Sequence, residues 1–382
     1  MIWTELPQQG VARPLRDRDT RDALWEAFMR QMPLPDAPVR PLPSCLRSRC
    51  ESAWADKAVQ SFLCRAQRDD PDGERQAVHE PVAMATLNGF LERRGVRYAG
   101  GISSPVTAFT AGSRLSVHLA WGTLTSRLVY RRTQDALRYW REEEADGNPE
   151  ATQWRRGLRA FSERLAWRDH FVQRLEDEPG MEFDAIHPAY RDLPCVRGAE
   201  AEERLGAWVT GTTGFPLVDA SMRCLARTGF VNFRMRAMVT SFACHALRLD
   251  WRTVHYPLAR VFRDYEPGIH LSQVQMQAGV VGINTIRVYS PSKQLREQDP
   301  ALLFTRRWIP ELHGFSDETI LSGEMAGAAP GYPPPCIDFA AESKIMKDAL
   351  WDRKKEHADA PETAAVLSRH GSRRNSMRFK PN

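Results

Sequence analysis

The sequence predicts an all-α protein, and three observations predict it. Apolar residues recur at three- and four-residue spacing, the period of one helix face, in one segment after another. Start and stop signals punctuate these segments, with proline, serine or asparagine before them and glycine after. Residues 1 to about 80 carry no buried-strand run and no glycine-rich strand-to-helix turn.

Residues 20–32 read as a helix, with Leu24, Phe28 and Met29 set against Arg21, Asp22, Glu26 and Arg30. A proline-rich connector over 33–43 leads to a second helix over 53–66, which carries Trp54, Val59, Phe62 and Leu63. Residues 68–74 form a polar, exposed loop. A helix over 82–94 turns Met84, Leu87, Phe90 and Leu91 inward. In the stretch 110–116 a serine precedes the apolar run 117–124. That pattern is a helix N-cap, and free N–H groups at a helix start bind phosphate. A plain cap without a ligand is the alternative. Residues 161–175 are strongly amphipathic.

Thr213, Gly214, Phe215 and Pro216 make a turn with proline at a helix's first positions. The helix over 217–227 carries Leu217, Ala220, Cys224 and Leu225 on one face and stops at Gly229. Asn232 caps the next helix, whose apolar residues are Met235, Met238, Val239, Phe242 and Leu247. Arg234 and Arg236 fall in its first turn, where the helix dipole disfavours cations. Asp264 and Glu266 are the candidate counter-charges, and an ordinary surface salt bridge is the competing explanation. Residues 343–357 make a charged helix, and the basic tail 368–380 reads as disordered.

The 382 residues are 42% hydrophobic and 26% charged, the composition of a soluble globular protein. No apolar run approaches a membrane span, and the first five residues begin no signal peptide, so the expected location is cytoplasmic. A net charge of +5 permits a polyanionic partner without demanding one. Seven cysteines imply no disulfide framework, and the spacing of Cys45, Cys50 and Cys64 matches no zinc or ferredoxin pattern. Free thiols and no metal are expected.

The segment GTTGFPLVDASMRCLARTGFVNFRMRAMVTSF, followed by RVYSP and FTRRWIPEL, resembles consecutive motifs of the photolyase and cryptochrome family. The likeness covers roughly residues 85–345. It implies that family's FAD-binding helical domain, with a U-shaped FAD in a central cavity. The organisation expected is a short helical extension over 1–80, the FAD-binding domain over 81–345, and a charged helix with a basic tail over 346–382. Nothing in the first 80 residues resembles the family's antenna-chromophore domain. Only Cys336 lies beyond Cys244, so the iron–sulfur cluster of some members is not expected.

The resemblance also implies site residues. SRLSVHLAWGTL matches the segment that holds the FAD pyrophosphate, which places Ser113, Arg114, Leu115 and Ser116 at the phosphates, with Tyr98 across from them. Trp167 matches a tryptophan lining the substrate side, and Arg168 matches an arginine that approaches the cofactor. Arg236 and Asp264 match an ion pair beside the isoalloxazine ring, Glu266 a second acidic position, and His270 the residue facing flavin N5. Two departures stand out. Arg164 occupies the slot of the glutamate that binds cyclobutane dimers, with Glu163 turned about a hundred degrees away on the helix. Phe233 stands where many photolyases have an asparagine contacting adenine and lesion. Of the family's three electron-transfer tryptophans only the middle one, Trp251, is evident.

The resemblance implies three candidate functions. Light-dependent DNA repair is the leading one, with damaged or single-stranded DNA as partner on a basic face. A blue-light sensor and a light-independent flavoenzyme acting on a small molecule are the alternatives. No membrane partner is expected.

Overall fold

Helices dominate this computed structural model, which describes residues 9–32, 41, 43–61, 73–322 and 331–371, and no β-strand occurs among them. The first helix, α1 (Arg21–Arg30), buries Trp25, Phe28 and Met29 and leaves Leu24 exposed. The pattern had placed Leu24 inward. The helix rotates to bury the larger indole, whose Nε1 donates to Asp169 at 3.0 Å and whose ring packs edge-on to Tyr130 at 5.2 Å.

The helix expected over 53–66 is helical in its described part except for a break at 55–56: α2 (Ser44–Trp54) runs into its start, and residues 57–61 are helical again. Asp56 accepts from the Ala58 amide at 2.6 Å at the start of that second helical stretch. Phe62, Leu63, Cys64 and most of the expected loop and proline connector lie outside the described residues.

Next, α3 (Glu80–Gly89) begins with Pro81 and passes at Phe90 into a π-helical turn, Phe90–Arg94. The helix expected over 82–94 is therefore two elements. Short turns lead to α4 (Ser116–Ala120), α5 (Ser126–Ala145) and α6 (Ala151–Asp177). At 27 residues α6 extends about 40 Å and far exceeds the amphipathic stretch recognised in the sequence. Its early part puts Trp154, Leu158, Phe161 and Leu165 into a smaller core shared with Trp25, Met29, Leu87, Phe90, Tyr98 and Leu115. Its end comes at Glu178, which is non-helical and precedes Pro179.

The larger core collects α7 (Gly198–Thr210), α8 (Pro216–Thr228), α9 (Phe233–Ser241), α10 (Trp251–Val261) and α11 (Pro267–Ala278). The turn before α8 is pinned by fully buried Asp219, which accepts from Thr213 N and Oγ1, Gly214 N and the Tyr332 hydroxyl. Two further helices, α12 (Phe339–Glu356) and α13 (Pro361–His370), close the description. The start of the expected tail, 368–370, is thus helical, and the rest from 372 lies outside the described residues. No described helix is long and apolar enough to cross a membrane.

Two glycines bring the site's elements together. Gly229, at φ 70°, ends α8 and accepts from the Arg263 amide at 3.0 Å. A Cβ there would lie 2.9 Å from that of Arg263. A Cβ on Gly268 would lie 2.6 Å from Val172 Cα, so only glycine lets α11 lie this close to α6.

Candidate functional site

The contact at Gly229 sets Asp264 against the first turn of α9, where the uncapped helix start and two arginines call for a negative charge. Arg236 Nη2 meets Asp264 Oδ2 at 3.0 Å, with side chains 26% and 7% exposed. Arg236 Nε donates to Val231 O at 2.8 Å, and its guanidinium stacks 4.1 Å from the Phe262 ring centre. Burial pushes the Asp264 carboxyl upward, but Arg236 and the neighbouring Ser116 hydroxyl outweigh it and hold the group below the usual carboxylate range.

Arg114 completes the cluster from the opposite side. Its backbone is left-handed at φ 59°, and its guanidinium lies 3.7 Å from the Phe230 centroid and 5.1 Å from that of Phe109. Burial lowers it to about 10, with Asp264 opposing and Arg236 assisting. Arg114 Nη1 and Asp264 Oδ1 are both buried without a hydrogen-bond partner. One unfilled donor and one unfilled acceptor, in a cluster flanked by hydroxyls and aromatic faces, match a polar, ring-bearing ligand. The residues present fit FAD.

The other expected residues distribute as follows. Ser113 Oγ accepts from Leu115 N at 3.4 Å, and its carbonyl accepts from Arg94 at 3.1 Å. Leu115 is fully buried, while Ser116 is exposed at the start of α4. Neither serine caps that helix, contrary to the pattern, because Leu115 holds the cap position. Asn232 likewise holds the cap position of α9 without capping it. Its side-chain amide donates to the carbonyls of Ile102 and Ser103 instead.

Arg234 reaches Gln294 at 3.4 Å. Glu266 caps α11, accepting from Gly268 N and Ile269 N at 3.4 and 3.1 Å, so Asp264 alone serves Arg236. Burial raises the Glu266 carboxyl, and Arg168 nearby counters part of that. Arg168 itself pairs with fully buried Asp169 at 2.8 Å and reaches Leu119 O at 3.3 Å.

His270 is buried, with Nε2 3.1 Å from His255 O. A carbonyl only accepts, so Nε2 carries the proton and Nδ1 is left as an acceptor. Burial first, and the neighbouring His255 second, bring its pKa to about 4. Its ring lies 5.2 Å from Tyr265 and 5.8 Å from His255, which in turn lies 6.0 Å from Trp251.

Trp167 packs against His170 and Phe171 at 5.3 and 5.8 Å. Arg164 is exposed on α6, and Phe233 is 53% exposed at the start of α9. Tyr98 stands edge-on to Phe90 and Phe161 at 5.5 and 5.6 Å, and burial raises its hydroxyl to about 12. It lies in the smaller core, not in the Arg236 cluster. Sequence reasoning passed over Phe230, Phe262 and Asp169, which hold Arg114, Arg236 and Arg168. Only the aromatic residues beside each turn hinted at the first two.

A family model for the FAD binding domain of DNA photolyase matches residues 161–352. A Synechococcus deoxyribodipyrimidine photo-lyase is 27% identical over 285 residues, which are 74% of this chain and 56% of the relative. One from Alkalihalophilus pseudofirmus is 30% identical over 280 residues, 70% of this chain and 54% of that protein. The chain thus spans about half the length of the curated relatives it matches. Among solved structures, a Synechocystis cryptochrome superposes with a TM-score of 0.62 at 25% identity, covering 71% of this chain and 56% of its own. A class III photolyase from Agrobacterium tumefaciens has the same TM-score at 24% identity, covers 72% and 56%, and shares the fold.

Proposed function

The chain belongs to the family of the FAD binding domain of DNA photolyase, with FAD as its cofactor, and from that premise we propose that it donates an electron under blue light to a DNA photolesion. The observation that carries this reading is the Arg236–Asp264 pair, its carboxylate buried and its guanidinium half-buried, flanked by the unfilled Arg114 Nη1 and Asp264 Oδ1. FAD, when bound, supplies the light absorption and the transferable electron. The protein's part is placement and electrostatics.

Ser113 and Ser116 offer hydroxyls to the pyrophosphate, and Arg114 adds a cation beside them. Arg236 and Asp264 hold a fixed dipole with little screening, so its orientation governs the local potential. His270 is neutral at pH 7 and offers Nδ1 as an acceptor, since Nε2 is spent on His255 O. Trp167 offers an aromatic surface for an extruded base. Arg164 and Phe233 differ from the lesion-binding glutamate and asparagine, and both are exposed. The lesion contacts are therefore altered, and cyclobutane dimers are poor substrates.

The test uses FAD-loaded, reduced protein and ultraviolet-irradiated oligonucleotides, in darkness and under blue light. Lesion loss confined to the illuminated samples supports the reading. Equal loss in darkness, or none in light for every lesion class, contradicts it.

A further inference from the structure

Far along α6, two segments distant in sequence close over one side chain. Residues 9–12 tie to the helix through Gly10 N to Asp169 Oδ2 at 3.1 Å and Ala12 N to Gln173 Oε1 at 2.8 Å. Arg18 then crosses to the end of α13, donating to Ser368 O at 3.3 Å and Gly371 O at 2.9 Å. Beneath this crossing lies Arg174, 5% exposed. Its Nη2 reaches His370 O at 3.5 Å, but Nε and Nη1 are buried with no hydrogen-bond partner.

The acidic groups nearby are engaged elsewhere. Glu178 takes Arg369 at 2.8 Å and His370 at 3.5 Å, Asp177 takes Gln173 at 2.8 Å, and Asp22 takes Arg21 at 2.8 Å. Cationic or neutral neighbours are Arg18, Arg21 (whose Nε is also buried and unfilled), His170 and His370, with Asp177 within electrostatic reach of Arg18. Burial and the surrounding arginines lower His170 to about 2 and His370 to about 3, so both stay neutral at pH 7. Buried donors on a charged group are costly to leave unfilled.

We propose that the Arg174 cluster, where α6, residues 9–21 and the end of α13 meet, is a buried binding site for a free oxyanion of the phosphate class. Guanidinium groups suit tetrahedral oxyanions through several convergent N–H donors. Arg18 and the end of α13 cover Arg174, which excludes the backbone of a polymer. Arg174 lies two helical turns beyond Trp167, outside the flavin cluster.

The test is calorimetric titration of the FAD-loaded protein with inorganic phosphate at constant ionic strength, the flavin keeping its own phosphate cradle filled. One site is expected, and Arg174→Met weakens it at least tenfold without changing flavin content. No binding to the wild type, equal affinity in Arg174→Met, or an equal response to acetate overturns the proposal. If Arg174→Met does not fold, wild-type crystals grown with selenate decide. An anomalous peak within hydrogen-bond distance of Arg174 is expected, and its absence overturns the assignment.

Discussion

Replacing Asp264 by asparagine removes one negative charge and keeps the side chain's shape. The wild-type contact is 3.0 Å long, and the carboxylate is 7% exposed. Breaking one side of a fully buried pair costs about 3–5 kcal/mol. Arg236 is 26% exposed and keeps both the Val231 carbonyl and the Phe262 ring, so the loss falls below that range, to about 2–3 kcal/mol. Arg114 also loses the attraction of the Asp264 carboxylate, which adds to the loss. The carboxyl is depressed in the folded protein, so its stabilisation is full above the unfolded carboxylate value of about 3.9 and disappears as pH falls through the folded value. The difference between wild type and Asp264→Asn is therefore flat from about pH 5 to 8 and shrinks only in stronger acid. Denaturant unfolding of the FAD-free proteins measures it. With FAD bound, two uncompensated arginines favour the more negative reduced cofactor, so the midpoint potential rises. Unfolding midpoints and potentials that match the wild type would refute the placement of this pair at the site.

Three further outcomes are expected. His270 is buried neutral, so wild type should lose about 3 kcal/mol relative to His270→Leu as pH falls from about 6.5 to 4, the interval between its unfolded and folded values; a flat difference curve contradicts this. Alanine at both Ser113 and Ser116 should weaken FAD by roughly two decades or more, since each hydroxyl is worth about 1.5–3 kcal/mol against a charged phosphate; full flavin retention on purification contradicts it. Arg164→Ala should shift stability by no more than about 0.5 kcal/mol, because the residue is exposed, and should leave the weak repair of cyclobutane dimers unchanged; a repair rate that falls with it contradicts the altered-contact reading.

The limits of α8 were readable because proline and glycine act on their own backbone, whatever surrounds them. Arg236 and Asp264 were readable because a cation in a helix's first turn asks for a partner, though which acid answers was not: Glu266 spends its carboxylate on its own helix. Other features depend on contacts the local pattern cannot carry. Leu24 and Trp25 exchange places because Asp169, 144 residues away, takes the indole N–H. The low pKa of His270 rests on burial and on a histidine 15 residues earlier. The first ten residues of α6 carry Trp154 and Leu158 at the spacing that leads into Phe161 and Leu165, so this part of the helix was readable from the pattern and was passed over among its arginines.

The central claim is that this chain binds FAD in the Arg236–Asp264 cluster as a cofactor that responds to blue light. The most direct measurement is the absorption spectrum of the purified protein reconstituted with FAD, recorded in darkness and under blue light with an electron donor present. About one noncovalent FAD per chain is expected, with bands that bleach on illumination and recover in air. A protein that retains no FAD, or holds it with a spectrum blue light does not change, would contradict the claim.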